Sequence, residues 1–136
     1  HTTLAGVFKV SPSKITPQLE EIISQTTPFD VKVAGYDMFG WDNERIRVAL
    51  LERTSLLMRL HNSIVDVLSE NDASFKLPAP LRERFNPHIS DHGRLERFAI
   101  DTAVRFDRLS LVDLAPHGDN SQRRVVWNAE FSRPSR

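Results

Sequence analysis

The sequence predicts an α+β fold, with mostly antiparallel sheet and two helices. Three observations carry that prediction: strand-like stretches of alternating apolar residues, two segments with apolar residues at helical spacing, and hairpin-like pairs of strands between and after them. At 136 residues the chain suits one domain, residues 1–136 throughout, and is long enough to bury a real core.

The elements follow in order. Residues His1 to Phe8 are strand-like, and a chain opening in mid-strand leads us to expect that an upstream segment is lacking. Thr16 suits an N-cap and Pro17 the first helical position, with Leu19, Ile22 and Ile23 at helical spacing and Pro28 ending the helix. Phe29 to Phe39 reads as a strand with Phe29, Val31 and Val33 on one face. Gly40-Trp41-Asp42-Asn43 is turn chemistry, and Arg45 to Leu51 returns as the second strand of a hairpin. Leu56, Leu57, Leu60, Ile64, Val67 and Leu68 form an apolar stripe that predicts a helix over 55–70. Asn71 to Pro80 reads as a loop and Phe85 to Ser90 as a short strand. Val104 to Leu114 and Arg124 to Phe131 are the last two strands, joined by a turn around Pro116, Gly118 and Asn120.

Composition excludes several classes. No run approaches the roughly 18 apolar residues of a membrane helix, so no membrane partner is expected. With no cysteine there are no disulfides or thiolate zinc sites, which suits a reducing, cytoplasmic location. Lys and Arg balance Asp and Glu at 18 each, so no global field draws a long nucleic acid duplex. A polyanionic partner is then expected to be small, such as a nucleotide or an RNA end.

Two tripeptides could carry chemistry, His1-Thr2-Thr3 and His88-Ile89-Ser90. In a strand, residues i and i+2 share a face, so each tripeptide can present an imidazole and a hydroxyl together. The hydroxyl can donate to a non-bridging phosphate oxygen, while imidazole serves as acid or base near neutral pH. In-line displacement at phosphorus needs a base and an acid on opposite sides, and two such tripeptides supply both without metal. His61-Asn62-Ser63 repeats the spacing, but inside a helix i and i+2 diverge, and His61 reads as a helix-surface residue.

Other residues are weighed against ordinary packing. Phe8, Tyr36, Phe39, Trp41 and Phe85 could stack a base, Trp41 and Phe85 being the candidates carried forward; core packing is the simpler account of each, least so for Trp41 in its polar turn. Arg45 and Arg47 share a strand face that could meet phosphate, although a solvated face is the simpler account of them. His88 and His92 have metal-pair spacing, but Pro87 and Gly93 oppose the helix that such a pair needs, so no metal or other cofactor is expected.

The motifs His1-Thr2-Thr3-Leu4 and Pro87-His88-Ile89-Ser90, at this separation, resemble the two signatures of the 2H phosphoesterase superfamily. The likeness is to the branch of 2′-5′ RNA ligase and cyclic phosphodiesterase-like proteins. The pattern between them is similar too, from Val31 to Phe39 through the Arg45–Leu51 strand to the 55–70 helix, and Phe106 to Val112 resembles the family's closing strand. The resemblance implies a bilobal, pseudo-twofold α+β fold with one motif from each lobe facing a central cleft. It implies His1 and His88 as the catalytic acid/base pair, and Thr3 and Ser90 as phosphate donors. Family members carry a strand and a helix before the first motif, which is the segment expected to be lacking here. The implied activity is a metal-independent phosphodiesterase acting on RNA ends, 2′,3′-cyclic phosphates or 2′,5′-linked or cyclic oligonucleotides. Two alternatives remain: a catalytically inactive nucleotide- or RNA-binding module of the same fold, and a copper protein whose metal is held by an amino-terminal His1.

Overall fold

The computed structural model describes residues 2–39, 46–75, 80–90, 98–115 and 119–132. The elements run β1 (Phe8–Lys9), α1 (Pro12–Ser24), β2 (Phe29–Phe39), β3 (Ile46–Leu51), α2 (Ser55–Glu70), β4 (Ser74–Phe75), a 3₁₀ turn (Arg82–Arg84), β5 (His88–Ser90), β6 (Ala103–Phe106), β7 (Arg108–Ala115) and β8 (Asp119–Glu130). Among these the sheets are β5-β3-β2-β6, the hairpin β7-β8 and the short pair β1-β4, and every pairing is antiparallel. This is the α+β architecture that the sequence predicts.

The two helices supply one side of the core. Ile15, Leu19 and Ile23 of α1 and Leu57, Leu60, Ile64 and Leu68 of α2 pack against Phe29, Val31, Val33, Ala49, Leu51 and Ile89 of the sheet. α2 begins where its cap dictates, with the Thr54 hydroxyl accepting from the Leu57 amide at 3.2 Å. α1 starts a turn earlier than Thr16 and Pro17 suggest, at Ser11 and Pro12, leaving Pro17 inside the helix. An interior proline costs about 3 kcal/mol. Ile15, which is fully buried, joins the Leu19–Ile23 row only if the helix runs through Pro17. The far end of α1 is capped by the strand end after β8: the Ser132 amide donates to the Ile23 and Thr26 carbonyls and its hydroxyl to Ser24.

Three further differences from the sequence reading have local causes. Thr2 to Val7 form no strand, so β1 is reduced to Phe8–Lys9 and pairs with β4 in the stretch read as a loop. The single strand read over 104–114 is two, because β6 pairs with β2 while β7 pairs with β8, and the Asp107 carbonyl between them accepts from Phe131. The α2 stripe is rotated by a residue's worth: Leu56 is exposed and His61 is wholly buried. His61 is therefore not a surface residue, since its helical neighbours Leu57, Ile64, Val65 and Leu68 are all buried.

A β-bulge in β2 decides what the sheet offers on its other side. The register passes from Val33↔Leu51 to Gly35↔Leu50, so Ala34 is the extra residue. An inserted residue inverts the alternation beyond it. Phe29, Val31 and Val33 face the helices, and after the bulge Tyr36 and Met38 take that side. Asp37 and Phe39 are turned to the opposite face.

Candidate active site

β5 is short, and one residue fixes its orientation. Ile89 pairs with Ala49 and is buried in the helix-side core. His88 and Ser90, on either side of it, must then project from the face away from the helices. They pair with Leu50 and Val48 of β3, which lie on that same face. The floor beneath the motif is apolar, because Val48 is fully buried between Asp37 and Ser90 in the register.

His88 is held in one orientation. Its Nδ1 lies 2.8 Å from the Asn86 carbonyl. A carbonyl only accepts, so Nδ1 carries the proton, and Nε2 is the nitrogen left for proton transfer. The Phe39 ring meets the imidazole edge-on, with centroids 4.6 Å apart and planes at 78°. In the register Phe39 sits four residues along the strands from the His88 row, about 13 Å in a flat sheet, so the strands must coil strongly to bring the rings together. The contact places Phe39 beside His88, on the face turned away from the helix-side core. The sequence signal was hidden by the bulge, which reverses the parity of Phe39 relative to Val33.

The remaining candidates separate clearly. Ser90 is exposed on the His88 face, and Thr3 is exposed outside any strand, its methyl 3.3 Å from where a Cβ on Gly6 would stand. His1 and Trp41 lie outside the described residues, as do Arg45 and His92. Phe85 is not available to stack a base: it is buried, and its ring lies parallel to the His61 imidazole at 3.9 Å and 2°. Arg47 shares the helix side of β3 with Ala49 and Leu51, where its guanidinium covers the Tyr36 ring at 4.8 Å. It therefore stands on the wrong face of the sheet to meet a phosphate at His88. Among the described residues no group of three or more His, Asp or Glu side chains could hold a metal ion. No helix among them is long and apolar enough to cross a membrane.

The sequence matches a known family model, that of the 2′-5′ RNA ligase superfamily, over residues 1–105. This chain belongs to the 2′-5′ RNA ligase superfamily. The fold agrees: a solved structure described as "Crystal structure of phosphoesterase" superposes with a TM-score of 0.53 at 16% identity, covering 98% of this chain and 77% of that one. No curated protein matches the sequence at a significant level. Within the superfamily assignment, the matched stretch contains both tripeptides and ends in β6, so the β7-β8 hairpin lies beyond it.

Proposed function

We propose that this 2′-5′ RNA ligase superfamily member is a metal-independent phosphodiesterase for RNA ends, 2′,3′-cyclic phosphates or 2′,5′-linked or cyclic oligonucleotides, with His1 and His88 as its acid/base pair. Family membership supports phosphoesterase-type chemistry. The observation that carries the finer reading is His88 itself, with Nδ1–H tied to a carbonyl, Nε2 left for proton transfer, and the Ser90 hydroxyl on the same face.

On a 2′,3′-cyclic phosphate, one imidazole accepts the proton of the attacking water as the new P–O bond forms. The other, protonated, donates to the ribose oxygen as the opposite P–O bond breaks. The two histidines exchange protonation states and are restored by solvent. Ser90 and Thr3 donate to the non-bridging oxygens, where negative charge grows in the pentavalent species. On a 2′,5′ linkage the neighbouring 3′-hydroxyl can replace water, and the reverse direction is ligation. Asp37 and the apolar floor of Val48 and Leu50 complete the same face.

The test is a screen of 2′,3′-cyclic nucleotides, 2′,5′-linked oligonucleotides and cyclic dinucleotides in the presence of chelator. We expect turnover with a bell-shaped pH profile, and a loss of about 10²–10⁴-fold in His88→Ala. A wild-type rate in that variant would exclude His88 as a proton-transfer group. A nucleotide-binding module without catalysis is the second reading, favoured by the absence of a strand at Thr2 to Val7; binding without turnover would establish it.

A further inference from the structure

His61 is a buried imidazole that the proposed chemistry does not use. Its Nδ1–H donates to the Leu4 carbonyl at 2.6 Å, and its Nε2 accepts from the Arg82 amide at 2.9 Å. Only the neutral Nδ1–H tautomer makes both bonds. Leu4 directly follows Thr3. Arg82 opens the 3₁₀ turn that leads to Phe85, whose ring stacks on this same imidazole, and on to His88.

We infer that His61 is a positioning residue, a single side chain on α2 that ties the backbone behind the first His-x-Thr motif to the backbone ahead of the His-x-Ser motif. The inference rests on the two-motif reading of the site. Packing alone does not account for it, because every helical neighbour facing the same core is aliphatic and a leucine would continue the stripe. A fully buried polar ring is maintained where both its nitrogens are satisfied. The turn it holds is also over-determined. Arg82 adopts φ 56°, a conformation non-glycine residues seldom take. Its guanidinium is paired with Asp66 at 2.7 Å, and its carbonyl, with that of Glu83, accepts from Arg53. With both motifs referred to one rigid helix, their separation across a phosphate is set by the length of one imidazole.

Two substitutions divide the links. In His61→Asn the amide can still donate to Leu4 but no longer reaches Arg82; in His61→Gln the carbonyl can still accept from Arg82 but gives up Leu4. We expect His61→Asn to shift the amide resonances of Phe85 to Ser90 and spare those of Thr2 to Gly6, and His61→Gln to do the reverse. Each should lower kcat on a 2′,3′-cyclic nucleotide by about 10²-fold with little change in KM, the scale of a misplacement of about 1 Å. The exposed variant Arg53→Met, which leaves the core intact, should shift the Phe85 to Ser90 resonances and lower kcat by roughly tenfold, and it carries the test if a His61 variant does not fold. Unmoved resonances with kcat within about twofold of wild type would overturn the inference, and so would both segments shifting together in each His61 variant. Wild-type protein without turnover would refute the phosphodiesterase reading instead, and the resonance pattern would still decide the role of His61.

Discussion

Phe85 reads in the sequence as an aromatic beside a catalytic motif, and in the structure as a core residue, and the two assignments predict opposite phenotypes. Its ring is 5% exposed and lies flat on the His61 imidazole at 3.9 Å. Truncating a buried phenylalanine removes its transfer free energy and leaves a cavity, at about 3–5 kcal/mol. Unfolding entropy near the midpoint is about 2.1 cal/mol/K per residue, or roughly 0.29 kcal/mol/K over 136 residues. Phe85→Ala should therefore lower Tm by about 10–17 °C, read by circular dichroism or calorimetry. A ring open to a nucleobase would behave otherwise: stability would change by less than about 1 kcal/mol, roughly 3 °C, while KM rose. A variant that melted within about 3 °C of wild type and bound substrate more weakly would refute the core assignment and return Phe85 to the binding site.

Further outcomes can be checked with the same reagents. Burial holds His61 below its ordinary pKa of 6.5, with the Leu4 carbonyl opposing and Arg82 and Arg53 adding to the depression. Below 6.5 the unfolded chain therefore takes up a proton that the folded chain refuses, so this contribution to stability is present above 6.5 and lost as pH falls through the folded value. The difference in urea midpoint between wild type and His61→Gln should shrink from about pH 8 to about pH 5, and a constant difference would contradict it. In the proposed mechanism Ser90 and Thr3 donate to developing charge, so Ser90→Ala and Thr3→Val should each lower kcat by about 10²–10³-fold with modest change in KM. Loss of affinity alone would make these hydroxyls ground-state anchors. Phe39→Ala should leave Tm within a few degrees but free the His88 ring, lowering kcat by about tenfold, and an unchanged kcat would show that Phe39 does not orient it.

What the sequence made legible was whatever obeyed a single period. The α2 helix was bounded correctly because Thr54 caps it and the stripe from Leu57 to Leu68 runs unbroken on one side. The His-x-Ser strand was legible because a buried Ile89 forces its neighbours to the other face. The sequence is harder to read where the period changes. The bulge at Ala34 inverts the faces of Asp37 and Phe39, and its one marker in the sequence is Gly35 inside the strand pattern. Asp107 divides one apparent strand between two sheets, which only the identity of the pairing partners can reveal. The divergence of i and i+2 in a helix separates His61 from Ser63 but does not put it on the surface: its i−4, i+3, i+4 and i+7 neighbours are all buried, a pattern that argues for a satisfied core histidine.

The two motifs are consequently held by different physics. In His88-Ile89-Ser90 the middle residue is the lock. Ile89 is buried against the helix-side core, β3 supplies the ladder, and a slip by one residue would move His88 and Ser90 to the other face at the cost of exposing an isoleucine. In the first motif the middle residue is Thr2, which is half-buried, and no strand follows it through Val7. No alternation can fix Thr3 there. Among the described residues a constraint next to it is the hydrogen bond that the Leu4 carbonyl accepts from His61, drawn from a different element 57 residues away. A motif held by a sheet keeps its facing as long as the apolar pattern is kept, even where the turn ahead of it, tied to His61 and Arg53, is displaced. A motif held by one buried imidazole depends on that ring remaining neutral and in place, which makes the first half of the site the more sensitive to acid and to substitution in α2.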